Sequence, residues 1–266
     1  MAFASLDAYV HGSSIIHRWR PALKLVSLLL LMFAFATVHH LVLLVPMVGV
    51  TALLYGSSGL PLRFLRQRLS YPGLFILAVV ILLPLTAGDT VIWQWGWLSL
   101  RQEGIEAMAL VVCRFVSILT IGFILLGTTP FLTIIQTMRS LGLPVILADM
   151  TLLSYRYLYE IADTLFTMQQ AMRLRGFGYG EKRWFRINPR ILQQLATLTG
   201  SLLIRSYERS ERVYKAMRLR GYGYGVQPTI MGTPNQRRDV RSWGLTAVIV
   251  MIAAGFVIAE IGLSVV

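Results

Sequence analysis

The sequence has 266 residues, 56% of them hydrophobic, with a mean hydropathy of +0.64 and a formal net charge of +13. So high an apolar content excludes an ordinary soluble domain and is typical of a polytopic membrane protein. The positive charge suits three kinds of partner: nucleic acid, anionic lipid and the cytoplasmic face of a membrane. A single cysteine, Cys113, excludes an intramolecular disulfide and any cysteine-based metal cluster.

Five apolar runs are candidates for membrane spans. They cover residues 21–38, 41–55, 72–87, 105–128 and 243–265. The first twenty residues lack the order of a cleaved signal peptide, so we expect none. Basic residues support the count, because 17 of the 25 Lys and Arg fall within residues 129–242 and the connections on the opposite side hold almost none. The positive-inside rule therefore predicts that the N-terminus lies in the cytoplasm and the C-terminus outside.

Few polar groups interrupt these runs. The adjacent His39 and His40 separate the first two, and we interpret them as residues of the membrane surface, since two neighbouring histidines are too few ligands for a metal. Arg114 lies inside the fourth run, where a charge is costly and must face protein, water or the interface. Glu260 lies near the end of the last run. The tryptophans between the third and fourth runs predict an aromatic belt, and they are Trp93, Trp95 and Trp97.

From residue 129 onward the prolines and glycines predict three helices outside the membrane. Thr129-Pro130 is an N-cap followed by proline at the first helical position, and the short helix it opens ends at Gly142. Pro144 opens a long helix, and Asn188-Pro189 repeats the cap signal and opens another. Each long helix has about 30 residues and hence a length on the order of 45 Å.

The two long helices end in almost the same ten residues. Residues 171–180 read Ala-Met-Arg-Leu-Arg-Gly-Phe-Gly-Tyr-Gly, and residues 216–225 differ only in having Tyr222 in place of Phe177. Glycine permits the left-handed conformation of a helix C-cap, so we expect each helix to end in an exposed Arg-x-Arg tip. The helix dipole alone would favour a basic residue at each end but not a repeated decapeptide. The first tip contains Arg173, Arg175 and Gly176, and the second tip contains Arg218, Arg220 and Gly221.

The motifs of several function classes are missing from the sequence. It has no P-loop, and its Gly-x-Gly-x-Gly segments follow a helix, whereas a dinucleotide site needs them after a strand. No spacing of His, Asp and Glu predicts a metal site, so we expect neither an enzyme nor a cofactor. The tips could bind nucleic acid or anionic lipid headgroups. They could also dock two copies of one partner through charge-assisted bonds to its carboxylates.

Four features between residues 129 and 225 form a recognisable combination. They are Thr129-Pro130, Leu141-Gly142-Leu143-Pro144, Tyr155-Arg156-Tyr157 and the two Arg-Gly tips. Together they resemble the transmembrane T component of energy-coupling factor transporters, EcfT, and most closely its cobalt-type member CbiQ. The family signature Ala-Arg-Gly reads Leu174-Arg175-Gly176 and Leu219-Arg220-Gly221 here, so the arginine and glycine match and the alanine does not.

The resemblance implies a multi-pass protein of the bacterial inner membrane and a set of partners. It implies that Arg175 and Arg220 engage the grooves of two ABC-type ATPase subunits of the CbiO kind, and that the two long helices cross. It also implies that an apolar surface holds a substrate-binding S component of the CbiM/CbiN kind. Arg173 and Arg218 would be further contact points, and no nucleic acid would be bound.

We therefore predict an all-α membrane protein with about five transmembrane helices and two long cytoplasmic coupling helices. Its predicted parts are residues 1–128 with four spans, 129–242 with the coupling helices and 243–266 with the last span. Its predicted function is to transmit ATP-driven motion of an ATPase dimer to a substrate-binding membrane subunit for cobalt(II) uptake, with nickel or a vitamin as alternative cargo. The alternative from another class is a membrane-anchored module that recruits an acidic partner or anionic lipid without transport.

Overall fold

A computed structural model describes residues 14–86, 91–95, 98–176, 189–222 and 240–265. The helices are α1 Pro21–Ala36, α2 Leu44–Ser58, α3 Leu62–Thr86, α4 Gln102–Thr128, α5 Phe131–Ser140, α6 Val145–Leu174, α7 Pro189–Leu219 and α8 Val240–Val265. A 3-10 turn, Leu41–Leu43, precedes α2. The strands β1 Val91–Trp95 and β2 Leu98–Arg101 precede α4. The predicted all-α membrane fold is confirmed, with this hairpin as the exception within the described residues.

The chain divides into two compact units. Among the described residues, the membrane unit comprises residues 14–144 and 240–265 with their gaps, and the two-helix unit comprises residues 145–176 and 189–222. Helix α5, which we predicted as the first element outside the membrane, belongs to the membrane unit and packs against α1. The assignment of residues 129–242 to the cytoplasm stays a prediction.

Helix α1 is the central element of the membrane unit, with α4, α5 and α8 packed around it. Its residues Leu28, Leu31 and Phe35 follow a helical period and are almost fully buried. The ring of Phe35 meets that of Phe256 on α8 edge to face, with centroids 5.1 Å apart. Because lipid is as apolar as these side chains, close van der Waals packing rather than removal from water holds this face of α1 against its neighbours.

Three helical segments in the described part of the chain are long and apolar enough to cross a membrane. They are Leu41–Ser58, Glu103–Thr128 and Val240–Ser264, while α1 is a shorter apolar helix of 16 residues. The third predicted span, residues 72–87, falls largely within α3, whose first turns carry Arg63, Arg66 and Arg68. The membrane class is therefore supported, and the count of five spans stays a prediction.

The segment between α3 and α4 is an antiparallel hairpin, which the sequence analysis did not foresee. Val91 lies opposite Arg101, and Trp95 lies opposite Leu98. The sequences Val-Ile-Trp-Gln-Trp and Leu-Ser-Leu-Arg are rich in residues that fit a pleated surface, which explains the strands. Trp97 of the predicted aromatic belt lies outside the described residues, so the belt stays a prediction.

One predicted helix cap is wrong. Helix α5 begins at Phe131, its N-cap residue is Pro130 in an extended conformation, and no side chain caps it. Thr129 is thus one residue too early to cap this helix, and its hydroxyl oxygen instead accepts a hydrogen bond from Lys24 Nζ at 2.8 Å. The predicted end of the helix is confirmed, with Gly142 in the left-handed region at φ +110°. Asn188, the second predicted cap, lies outside the described residues.

Candidate functional site

Each tip ends its helix at the predicted glycine. Gly176 has φ +89° and Gly221 has φ +82°, the left-handed region that favours glycine. The backbone N–H of each glycine donates to the carbonyl three residues earlier, that of Arg173 or Arg218, at 3.0 Å. At the second tip the N–H of Tyr222 also donates to the carbonyl of Met217 at 3.1 Å, which completes a Schellman motif. The prediction that glycine stops both helices is confirmed.

The four predicted arginines are exposed at the two helix ends. Between each pair of arginines stands a leucine that the sequence analysis treated only as a departure from the family signature. Leu174 is 84% exposed and Leu219 is 90% exposed. A leucine flanked by two guanidinium groups offers a partner both an apolar contact and charge-assisted hydrogen bonds. Nothing in the structure tests whether the tips bind a partner, so that role stays a proposal.

Helices α6 and α7 run antiparallel within the two-helix unit. Near one end, the Tyr222 hydroxyl donates to Asp149 Oδ2 at 3.4 Å, which sets the second tip beside the first turn of α6. Further along, Arg209 forms an ion pair with Glu160 and lies over the Tyr157 ring at 5.9 Å from its centroid.

The antiparallel order places the two tips at opposite ends of the helix pair. Arg175 lies 26 residues beyond Asp149 on α6 (175 − 149), and Asp149 is beside the second tip. At 1.5 Å per residue, the tips are on the order of 40 Å apart. A pair of like tips at this separation can meet two separate copies of one partner.

A groove lies between the two helices beside each tip. The groove beside the second tip has a volume of about 880 Å³ and a mainly apolar lining that includes Met150, Leu158 and Tyr214. The groove beside the first tip has a volume of about 450 Å³ and includes Arg175 and Arg205 in its lining. We call them the second groove and the first groove. Both lie wholly within the two-helix unit.

The sequence model of the CbiQ family, described as cobalt transport protein, matches residues 12–230. The chain belongs to the CbiQ family. The resemblance predicted from the tips is therefore confirmed, and the family is one of transport components, consistent with a role other than that of an enzyme. The cobalt cargo and the ATPase contact are finer statements that membership alone leaves open.

Several curated relatives carry the name "Energy-coupling factor transporter transmembrane protein EcfT". The one from Limosilactobacillus fermentum is 28% identical over 186 residues, covering 65% of this chain and 68% of that protein. The one from Listeria innocua is 28% identical over 216 residues, covering 77% of this chain and 80% of that protein. A "Putative ABC transporter ATP-binding protein" from Bifidobacterium longum is 27% identical over 172 residues, which are 61% of this chain but 22% of that protein.

The membrane unit of this CbiQ-family chain holds a polar cluster where α1 turns into α2. The guanidinium of Arg114 on α4 donates to the Val38 carbonyl and lies 3.5 Å from His39 Nδ1. The backbone N–H of His39 donates to Glu260 Oε1 on α8 at 2.9 Å, and His40 Nε2 lies 3.9 Å from the same oxygen. Glu260 is 9% exposed and interacts electrostatically with Arg114.

This cluster explains two charges whose roles the sequence left open. Arg114 faces protein rather than lipid, as expected of a charge at that depth. The guanidinium beside His39 opposes binding of a metal cation there, and in the described part of the chain no three His, Cys, Asp or Glu residues are grouped to hold a metal. The expectation that His39 and His40 bind no metal therefore stays a prediction with this geometry in its favour.

A second polar centre surrounds Lys24, a basic residue in the first turn of α1 that the sequence did not single out. Lys24 is 1% exposed, and its ammonium group donates to oxygen atoms of three residues. Its Nζ lies 2.5 Å from Thr128 Oγ1, 2.8 Å from Thr129 Oγ1 and 3.2 Å from the Ile16 carbonyl. The group thereby joins the N-terminal segment, α1 and the end of α4. These residues come together only in the folded chain, so their positions in the sequence do not predict the site.

Proposed function

We propose that this chain is the transmembrane coupling component of an energy-coupling factor transporter and that its cargo is cobalt(II). Membership of the CbiQ family and similarity to proteins named EcfT support the transporter class. The observation that carries the coupling role is the pair of like tips at opposite ends of two antiparallel helices. This arrangement suits a dimeric partner whose two subunits move towards and away from each other, with one subunit bound at each tip.

The proposed partners at the tips are two ABC-type ATPase subunits. Each tip offers two exposed arginines, and planar guanidinium groups form paired bonds with carboxylates. The Bifidobacterium longum relative supports this pairing, since a segment similar to this chain occurs there within a protein named as an ATP-binding protein. ATP-driven closure of such a dimer would move the two tips and hence the two helices that carry them.

The second proposed partner is a substrate-binding membrane protein. The second groove and the helix surfaces around it expose large apolar side chains, which soluble surfaces rarely gather in one place. They include Ile146, Leu147, Met150, Leu158, Leu203 and Tyr214. Cobalt is favoured as cargo by the family description, and nickel or a vitamin is the alternative.

The coupling role is tested by changing the tip arginines. Arg175→Ala and Arg220→Ala should each lower co-purification of the ATPase about tenfold or more, because each charge-assisted hydrogen bond contributes about 1.5–3 kcal/mol. The double change should nearly abolish the complex. Lysine at either position should rescue only part of the binding, because it keeps the charge and loses the planar fork.

Arg212→Ala is the matched control, because Arg212 is an exposed arginine of α7 whose Nε donates to the Glu208 carbonyl within the helix. It should leave co-purification near the wild-type amount. A double alanine variant of the tips with normal ATPase association and uptake would contradict the proposal. Full rescue by lysine would instead favour a module that binds anionic lipid.

The cargo is tested separately with the assembled transporter in whole cells. Uptake of radioactive cobalt should saturate and should fall to background in the double tip variant. Uptake of nickel with higher affinity than cobalt would assign the other metal, and uptake of neither would favour a vitamin. These outcomes leave the coupling role itself unaffected.

A further inference from the structure

The two helices of the two-helix unit correspond in their length and in residues that line the grooves, and not only at the tips. Helix α6 ends at Leu174 and α7 ends at Leu219, 45 residues later, which is also the spacing of the repeated decapeptide. Under this spacing Leu153 corresponds to Leu198, and Met172 corresponds to Met217. All four line grooves, Leu153 and Met217 the second and Leu198 and Met172 the first. The two grooves are therefore equivalent sites of a repeated structure.

The charge of the two grooves differs although their framework is shared. Asp149 in the second groove corresponds to Gln194 in the first. Glu160 is absent from the lining of the second groove and is paired with Arg209, whereas its counterpart Arg205 lines the first groove. The charged side chains of the lining are Asp149, Arg209 and Arg218 in the second groove and Arg175 and Arg205 in the first. No acidic side chain lines the first groove, and among the described residues neither Arg175 nor Arg205 has a carboxylate partner.

The single difference between the decapeptides falls at the same place. Tyr222 donates its hydroxyl proton to Asp149 at the second tip. The corresponding pair is Phe177 and Gln194, and phenylalanine has no hydroxyl with which to repeat that bond. Both residues of the Tyr222–Asp149 contact therefore differ from their counterparts at the first tip. Asp149 therefore places a carboxylate of the chain itself beside the second tip, whereas the corresponding position in the first groove holds the neutral Gln194.

We propose that the first groove, between Arg175 and Arg205, binds a carboxylate side chain of the ATPase partner, whereas Asp149 of the chain itself takes that place beside the second tip. This inference rests on the proposed function and makes the two tips unequal towards two like subunits. Arg205 becomes a further partner-binding residue.

The chemistry of the groove fits an acidic side chain. Two guanidinium groups line it without an acidic side chain among the lining residues, and the Gln194 amide adds a further donor. Leu198, which is buried, and Met172 form an apolar floor for the stem of a glutamate or aspartate. An acidic protein segment is favoured over a lipid headgroup because the equivalent position beside the second tip already holds a side-chain carboxylate.

The test measures contact at each tip separately. A photo-reactive residue replaces Leu174 or Leu219, the exposed leucines of the two tips, in the complete transporter, and cross-linking to the ATPase is quantified. Arg205→Gln and Gln194→Asp should each lower cross-linking at the first tip about tenfold and leave the second tip unchanged. Arg212→Gln, an arginine outside both grooves, is the matched control and should change neither. Asp149→Asn should raise cross-linking at the second tip, since it frees that site for a partner carboxylate.

Each outcome separates this inference from the proposed function. Absence of cross-linking to the ATPase at both tips of the otherwise unchanged protein would overturn the proposed function. Cross-linking at both tips that Arg205→Gln leaves intact, or lowers equally at both, would overturn only the inequality of the tips. If Arg205→Gln left cross-linking unchanged and weakened the retention of phosphatidylglycerol in nanodiscs, the first groove would be a lipid site. That result would also overturn the inequality of the tips. Unchanged or lower cross-linking at the second tip in Asp149→Asn would remove the assigned role of Asp149.

Discussion

Replacement of Lys24 by methionine is predicted to destabilise the membrane unit strongly. The ammonium group is 1% exposed and its acceptors include the Ile16 carbonyl and both oxygens of Thr128. An ammonium has three protons, so three bonds count at once, each worth about 1.5–3 kcal/mol when the donor is charged. The variant no longer has a buried cation, and the desolvation penalty it thereby avoids offsets several kcal/mol of this sum. Because methionine also leaves buried carbonyls unpaired, we expect a net loss of about 3–5 kcal/mol.

Thermal unfolding in detergent measures this loss, with tryptophan fluorescence as the signal. Trp19 is a suitable reporter because its side chain is buried in the same unit. Its indole N–H donates to the Ser242 carbonyl on α8. At about 2–4 °C per kcal/mol for a chain of this size, Tm should fall by at least about 6 °C. Arg63→Met, an exposed position in the same unit, should change Tm by less than about 2 °C. Equal Tm values for Lys24→Met and wild type would refute the reasoning, because the bonds would then merely balance desolvation.

Three further changes test other parts of the structure. Glu260→Gln keeps an acceptor for the His39 N–H but removes the negative charge beside Arg114. The free energy of unfolding should therefore fall by about 1–3 kcal/mol, and an unchanged value would exclude this role of Glu260. Gly221→Val should lower ATPase association through strain at φ +82°, about 1–2 kcal/mol or more, while Gly221→Asn should be tolerated better. Cysteines at Glu181 and Gln236 should resist an impermeant thiol reagent in intact cells, and labelling of both from outside would reverse the predicted topology.

The helices outside the predicted first four spans could be predicted from the sequence because local chemistry sets their ends. Glycine at Gly142, Gly176 and Gly221 adopts a conformation that other residues strain to reach, and proline marks the starts of α6 and α7. These constraints act within a few residues, so the sequence alone places them. The N-cap predicted at Thr129 lies at Pro130 in the structure, so the predicted start of this helix was wrong by about one residue.

The polar centres could not be predicted, because their partners are distant in sequence. Lys24 and Thr128 are 104 residues apart, and His39 and Glu260 are 221 residues apart. A single sequence shows that Arg114 is a charge in an apolar run but carries no information about which backbone group it contacts. The unequal grooves were hidden for a similar reason. The 45-residue spacing was visible only in the tips, and Asp149 and Gln194 become comparable only once both helices are seen to line equivalent sites.

The predicted topology makes α1 a membrane span, and the two polar centres account for its short length. Lys24 contacts Thr128 at the end of α4, and the Val38 carbonyl, two residues beyond α1, accepts a hydrogen bond from Arg114, so the two anchors are 14 positions apart in each segment (38 − 24 and 128 − 114). That interval is about 21 Å at 1.5 Å per residue, less than the roughly 30 Å of a hydrocarbon core. A turn at the end of so short a span needs partners for its backbone, because lipid offers none. On the predicted topology the partners at this turn are Arg114 for the Val38 carbonyl and Glu260 for the His39 N–H, so two charges of the apolar runs would supply what lipid does not.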